Sequence, residues 1–494
     1  MQLIELARAA GLPMVGRDVE ITSISTDSRT LEPGALFVAI SGAQRQGIAY
    51  VNQALDRGAL AVCASAPVPG VPTLLAGNPR RALAALAAAF HEFPARALPL
   101  IGITGSLGKT STAQLLEAIL REAGLQVGVI GSLGVRFGHD VEDTGMTTPE
   151  ATQIHASLRA FIQRDADVAL MEVTTHAIVQ ERVAGLVFGL GILTNLVDDE
   201  HLEFHPTPEH YIRTKTRFFA MLAEGAPLVL NSDDATVRSV TAGLRRPLIR
   251  VGTLGAGEVD VAVQAITLGA SGSRFELVVR QPLMRTDGST LEPLTLPLEL
   301  SLLGSQQVAN AALAITAALL AGGTPDAARR ALATMSPVRR RMQVVHPHDP
   351  LVLDDTVGNP ASMLAVFETA AAIPHERLFI VYAVRGARGA AINRCNAEAL
   401  AQCLASMPGE LIVTTSDDET DERNRVTDDE SSAAYAALRE RGITFQVEPL
   451  VRTAVTRLVR DAGAGDLVIL LGAQGMDRGA AMALDAIAAR TRVA

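Results

Sequence analysis

Short apolar runs alternate with longer segments of helical spacing along most of this chain. Residues 97–103 are apolar and strand-length; a glycine-bearing turn follows, and Ala113-Gln-Leu-Leu-Glu-Ala-Ile-Leu-Arg-Glu-Ala123 then repeats its apolar positions at the helical period. The pattern predicts a strand, a turn and a helix. Further strands are predicted at residues 167–173 and 188–194, separated by helices, which is the alternation of a doubly wound sheet. In such sheets ligands bind beyond the strands' C-terminal ends, so Glu172 to His176 and Asn195 to His205 stand where functional residues are expected. Residues 251–303 change to alternation broken by Gly, Ser and Pro, predicting antiparallel hairpins ahead of an apolar helix at 307–320. From about 336 the strand–helix alternation restarts, with strands at 351–354, 378–382, 410–414 and 466–471. Before residue 95, runs at 35–40 and 59–63 make a smaller unit of the same kind. The expected division is 1–96, 97–335 and 336–494, with Pro94-Ala-Arg-Ala-Leu-Pro99 as a hinge.

Composition narrows the class. At 494 residues the chain has ample core for about three domains, and with 48% hydrophobic residues, no Trp and 3% aromatics that core must be Ala, Leu and Val. A formal charge of −10 without a dense Lys/Arg tract argues against general nucleic-acid binding, so an anionic ligand must be met locally. Cys63, Cys395 and Cys403 are too few and too scattered for a disulfide frame or zinc site, which points to a reducing compartment. The first residues lack a basic segment ahead of an apolar run, and no stretch reaches the ~18 uncharged apolar residues of a membrane span. A cytoplasmic protein without membrane or nucleic-acid partners is expected.

Candidate chemistry centres on Thr104-Gly-Ser-Leu-Gly-Lys-Thr-Ser111. Gly105 and Gly108 let backbone N–H groups and the positive end of the next helix converge on an anion, Lys109 adds a charge, and Thr110 offers a hydroxyl to Mg²⁺. This reads as a nucleotide phosphate cradle in its short form, G-x-x-G-K-T. Mg²⁺ also needs carboxylate, and Glu172, ending a buried strand, is placed to supply one. His201 and His205, among acidic residues, suit either metal ligation or a surface pairing, and Lys215 on composition alone is a solvated lysine.

Taken together, Thr104–Thr110, Thr147-Thr-Pro149, Met171-Glu-Val-Thr-Thr-His-Ala177, Gln180-Glu-Arg-Val183, Thr194-Asn-Leu196 and Tyr211-x-x-x-Lys215 occur in an order and spacing that resembles the Mur ligase family. Asp27-Ser-Arg29 and Pro33-Gly-Ala-Leu-Phe-Val-Ala39 are similar to that family's UDP-binding domain. The resemblance implies an α/β fold with a small N-terminal α/β domain, a central P-loop-type ATP-binding domain and a C-terminal Rossmann-like domain. It implies an ATP-dependent ligase that activates a carboxylate of the UDP-N-acetylmuramoyl-dipeptide type as an acyl phosphate for attack by an amino acid. By the same resemblance Lys109, Glu172, His201 and Lys215 are catalytic, with Thr110, Glu172, His201 and a carbamylated Lys215 serving Mg²⁺. Gly105, Gly108, Lys109, Thr110, Ser111, Asn310, Arg341 and Asp355 would bind ATP, while Ser28, Thr147, Thr148, Thr174 and Arg182 would hold the UDP-sugar peptide. A monomer is expected.

The departures lie mainly at the recognition edge. Ser106-Leu107 replaces Thr-Asn in the cradle, which leaves the backbone donors in place, and Asp199-Glu-His201 carries one extra residue. The third domain has Asp355-Thr-Val-Gly-Asn-Pro360 where Asp-Tyr-Ala-His-Asn-Pro is usual, and Arg385-Gly-Ala-Arg-Gly389 for the Gly-Asp-Arg segment. Asp417-Asp-Glu-Thr420 stands where members adding diaminopimelate carry Asp-Asn-Pro-Arg, and Gly475-Met-Asp477 replaces Gly-His-Glu. Asp417 and Asp477 therefore form an acidic amino-acid pocket, better matched to a cationic amine than to a second carboxylate. Two alternatives follow from these changes: the same chemistry on a non-peptidoglycan acid in a dedicated pathway, or a nucleotide-binding protein that has lost catalysis.

Overall fold

The computed structural model describes residues 1–41, 46–197, 204–253, 258–269, 271–336 and 339–491. By internal contacts the chain divides into two compact units. The first comprises Met1–Val261, Arg280–Pro293 and Leu313–Ala328; the second comprises Ala262–Val279, Leu294–Ala312 and Arg329–Ala494.

Two sheets in the first unit carry its architecture. The smaller has the strand order Met14–Val15, Thr73–Leu75, Ala61–Ala64, Ala35–Val38, Ser23–Ser25, parallel except for its first strand. Helices Leu3–Ala10 and Pro79–Phe90 cover one face through Leu3, Leu6, Leu83 and Leu86, while Val51 and Ala54 of helix Val51–Asp56 pack on the other. In the larger sheet, parallel strands run in the order Leu248–Thr253, Leu228–Asn231, Leu190–Leu193, Leu100–Thr104, Val168–Glu172, Val127–Gly131, and Gly134–Phe137 and Asp140–Glu142 extend it antiparallel. Its central strands are buried throughout because helices cover both faces, which explains why they read as continuous apolar runs rather than alternating ones.

The order in which the chain adds strands reverses beside Leu100–Thr104. The connection after it leads to Val127–Gly131 on one side; that after Leu190–Leu193 leads to Leu228–Asn231 on the other. Such a switch point opens a crevice at the strands' C-terminal edge, and the glycine turn after Thr104 lies there. Register aligns that edge, pairing Glu172 with Ile103 and Leu193 with Thr104.

In the second unit, the predicted hairpin region contains strands Val261–Gly269, Gly272–Val279 and Leu294–Leu300, the last two antiparallel. A six-stranded sheet follows in the order Gln343–His346, Leu351–Asp355, Leu467–Leu471, Leu378–Ala383, Glu410–Thr414, Gln446–Val447, parallel except at the Gln343–His346 edge. Helices Pro360–Ala371, Ala390–Ser406 and Asp428–Glu440 bury Met363, Leu400 and Leu438 on one face; Val451–Asp461 buries Val455 and Leu458 on the other.

Candidate active site

The turn after Leu100–Thr104 is held by the segment that follows the neighbouring strand. Leu107 N–H donates to Asn195 Oδ1 at 2.8 Å, Thr194 Oγ1 donates to Leu107 O at 2.5 Å, and Ser106 N–H donates to Asn195 O at 2.9 Å. Gly105 adopts φ +142°, and a Cβ there would lie 1.9 Å from Thr194 Oγ1, so no larger residue permits this closure. Helix Lys109–Glu122 then begins directly from Gly108, bringing the unpaired N–H groups of its first turn and their partial positive charge to the crevice. Lys109 Nζ donates to Gly105 O at 2.8 Å and Ser106 O at 2.7 Å, and Ser111 is buried in the helix's first turn.

Glu172 is buried at the end of its strand and held at both oxygens. Thr110 Oγ1 donates to Oε2 at 2.9 Å, Ser132 Oγ to Oε2 at 3.2 Å, and Ser132 N–H to Oε1 at 2.8 Å. Gly131 gives the carboxylate room, since a Cβ there would stand 2.4 Å from Oε1. Ser132 Oγ also lies 2.9 Å from Thr147 Oγ1, joining Thr110, Ser132, Thr147 and Glu172 in one polar cluster. Sequence reasoning missed Ser132. Its only signal was position, one residue beyond the buried strand Val127–Gly131.

Tyr211 and Lys215 share a face of helix Pro208–Thr216, one turn apart as their spacing predicts. Tyr211 OH lies 2.8 Å from Ser106 Oγ, and buried Lys215 donates from Nζ to Gly105 O at 2.7 Å. Lys109 and Lys215 thus meet at a single carbonyl, and the lysine that composition alone would leave in solvent is an interior group of the cradle. His205 is buried beside His210, their Nδ1 atoms 3.0 Å apart. His201 lies outside the described residues.

Thr148, Thr174 and Arg182 also cluster within this unit. Thr148 Oγ1 donates to Glu172 O at 2.8 Å and lies 3.1 Å from Thr174 Oγ1; Arg182 donates from Nη1 to Thr148 O at 2.8 Å and pairs with Glu150 at 3.0 Å. Ser28, on the smaller sheet's side, donates to Gln53 Oε1 at 2.7 Å. Next to it Arg29 grips Asp27 through two nitrogens, and that hydrogen-bonded charge holds the Asp27 carboxyl down at about 2.

The remaining candidates belong to the second unit. Asn310 Nδ2 donates to Gln307 Oε1 at 3.4 Å on helix Ser305–Leu320. Asp355 ends its strand and accepts from Met342 N–H at 2.7 Å; burial raises its carboxyl to about 6 against the lowering charge of Arg341. Arg341 itself is exposed and donates to Thr356 O at 3.4 Å. Asp477, expected in an acidic pocket, has a largely exposed side chain that accepts from buried Arg340, which also reaches Asp354, Gly472 O and Ala473 O. Asp417 is exposed beside Asp418, whose carboxylate accepts from Val451 and Arg452 N–H at the start of helix Val451–Asp461.

Among the described residues no group of three or more His, Cys, Asp and Glu side chains gathers as a metal site. The Thr110–Glu172 pair nonetheless fits Mg²⁺, which takes one or two carboxylates alongside water and phosphate oxygen rather than an all-protein cage. A glycine turn into a helix N-terminus at a sheet's switch point, with a lysine and a hydroxyl–carboxylate pair beside it, is the arrangement expected of a nucleotide-dependent class of enzyme. Family models place it further: "Mur ligase family, catalytic domain" matches residues 20–91, "Mur ligase middle domain" residues 103–318, and "Mur ligase, glutamate ligase domain" residues 340–474. UDP-N-acetylmuramyl-tripeptide synthetase of Roseiflexus sp. is 32% identical over 491 residues, covering 95% of this chain and 92% of the relative. The UDP-N-acetylmuramoyl-L-alanyl-D-glutamate–2,6-diaminopimelate ligase of Streptomyces avermitilis is 31% identical over 485 residues, 97% of this chain and 92% of its own. Among solved structures, a ligase of the latter name superposes with TM-score 0.68 at 22% identity over 95% of both chains. MurF of Thermotoga maritima, in complex with ADP, gives TM-score 0.64 at 19% identity, covering 95% of this chain and 98% of that one. The chain belongs to the Mur ligase family: it is an ATP-binding α/β enzyme that forms amide bonds at the expense of ATP.

Proposed function

We propose that this ligase joins an amino acid to a UDP-N-acetylmuramoyl-dipeptide, as a step of peptidoglycan precursor synthesis in the cytoplasm, acting as a monomer. Residues 1–96 would take the UDP end of the acceptor, 97–335 would carry the chemistry, and 336–494 would take the incoming amino acid. Likeness over nearly the full chain to a tripeptide synthetase supports this reading. So does the convergence of Thr110 and Glu172 beside Lys109. Among the described residues no helix is long and apolar enough to cross a membrane, in keeping with soluble substrates.

In this mechanism the acceptor carboxylate attacks the γ-phosphorus of ATP, the bond to the β,γ-bridging oxygen breaks, and ADP leaves. The amino group then attacks the acyl phosphate, loses a proton, and expels phosphate. Lys109 exchanges its contacts with Gly105 O and Ser106 O for phosphate oxygens, and the helix N-terminus from Gly108 supports the same charge. Thr110, Glu172, His201 and a carbamylated Lys215 would hold Mg²⁺, which would supply neutralisation of charge on the transferred phosphoryl group. Arg182, Thr148 and Thr174 would hold the acceptor near the reacting carboxylate. Asp417 would meet the incoming amine, while Asp477, engaged by Arg340, would shape the loop around it.

ADP release should be measured with UDP-N-acetylmuramoyl-dipeptide and a panel of amino acids, with the product weighed by mass spectrometry. One amino acid should give stoichiometric ADP and a mass gain equal to its residue. ATP turnover only with another acid would move the reaction to a different pathway, and ATP binding without substrate-dependent turnover would refute catalysis.

A further inference from the structure

The reverse side of helix Pro208–Thr216 bears a feature that the ligase reaction does not use. Tyr211 and Lys215 face the phosphate cradle, whereas Glu209, Ile212, Arg213 and Thr216 line a shallow cleft of about 720 Å³. Phe219, Val240 and Leu244 give it further apolar wall, and Arg213, Arg245 and Arg246 also line it. Arg246 is spent structurally, donating to Phe219 O at 2.9 Å, and burial lowers its pKa. Arg213 and Arg245 are exposed, and no carboxylate among the described residues pairs with either guanidinium. Two exposed guanidiniums without a carboxylate partner beside an apolar wall complement an anion that carries an apolar part.

We propose that this cleft binds a small amphipathic anion, a carboxylate or phosphate carrying an apolar chain, with the charged end on Arg213 and Arg245 and the chain against Ile212, Val240 and Leu244. Arginine matches both headgroups through paired N–H donors, and the apolar wall excludes simple inorganic anions as sufficient ligands. Glu209, which also lines the cleft, disfavours an extended polyanion and so favours a single headgroup. The inference rests on the cleft alone and stands or falls apart from the substrate assignment.

Decyl phosphate and decanoate, each kept monomeric, should be titrated calorimetrically into the full-length protein saturated with ADP. Saturable one-to-one binding is expected for at least one of them, and the stronger identifies the headgroup. Arg213→Glu and Arg245→Glu, both at exposed positions, should each weaken it roughly ten-fold or more while leaving ADP affinity unchanged. Leu244→Asp should do the same through the chain. Equal affinity for neutral decyl maltoside, displacement of the probe by ADP, binding only to anionic vesicles, or indifference to all three substitutions would each overturn the proposal.

Discussion

Lys109 Nζ and Lys215 Nζ donate to the same backbone oxygen, that of Gly105, at 2.8 and 2.7 Å. One lysine belongs to the phosphate turn and the other arrives from a helix more than a hundred residues later, so the two cations are brought together by the fold and not by sequence proximity. Gly105 can present that oxygen because its φ of +142° turns the peptide into the crevice. The arrangement concentrates positive charge where the proposed site would meet triphosphate charge, and conversion of Lys215 to a carbamate would replace a like-charge pair by an opposite one.

Lys109→Ala removes one of these charges without opening the core. Activity should fall by about three orders of magnitude or more, corresponding to several kcal/mol of lost phosphoryl stabilisation. Steady-state ADP release checks this, with circular dichroism showing the fold retained. Turnover near the wild-type rate would remove this turn as the ATP site.

Ser132 orients Glu172 from two sides, through its N–H on Oε1 and its hydroxyl on Oε2. Ser132→Ala keeps the first contact and loses the second, so divalent-metal affinity should weaken about ten-fold with little change in fold. Mn²⁺ binding followed by electron paramagnetic resonance in the presence of ADP gives a readout apart from turnover, and Ser132→Thr should restore it. Unchanged Mn²⁺ affinity in the alanine variant would make the serine a structural contact only.

Backbone chemistry explains which parts of this site were legible beforehand. Gly105, Gly108 and Lys109 declare themselves by spacing because a tight turn into a helix demands those residue types locally. Glu172 was legible as a charge ending an apolar strand. Ser132 was not, since its partner lies forty residues away and a serine after a glycine carries no pattern. Asp477 was legible only as an acidic residue: its ion pair with Arg340, 137 residues earlier, comes from tertiary packing that no local pattern announces. Lys215 was located by its resemblance, while its burial against Gly105 comes from tertiary packing that composition does not encode.

His155 links pH to the stability of the first unit. It is buried on helix Ala151–Gln163, neither ring nitrogen has a hydrogen-bond partner, and burial, with a smaller contribution from the His91 charge, lowers it from 6.5 to about 4. The unfolded chain binds this proton between pH 6.5 and 4 and the folded chain does not, so stability is full above 6.5 and declines as pH falls through that window. The expected loss between pH 7.5 and 5 is about 2 kcal/mol. Asp354 and Asp355 act oppositely: burial raises both to about 6, so the second unit is relieved as pH falls toward 4. Urea unfolding at the two pH values should therefore show the first unit weakening on acidification, and His155→Leu should abolish that weakening. An unaltered pH dependence in the variant would assign it to another group.

Lys215→Ala tests whether the buried lysine acts as a carbamate. Only a neutral amine adds CO₂, and only the resulting anion could help hold a second cation against the acyl-phosphate charge. If it does, the alanine variant should lose nearly all activity, and added formate, acetate or bicarbonate should restore part of it by supplying the missing carboxylate-like oxygens. Truncation removes a side chain that reaches from helix Pro208–Thr216 to Gly105 O, and the anion would take its place. A purely structural lysine would behave otherwise: its loss would leave Gly105 O and the Tyr211–Ser106 contact less constrained, and no small anion would repair that. Mass spectrometry of the intact protein under CO₂-saturated, mildly alkaline conditions should show the added carbamate in wild type and not in Lys215→Ala. An unmodified wild-type mass together with anion-independent activity in the variant would defeat the carbamate, leaving Lys215 as a positioning cation for the phosphate turn.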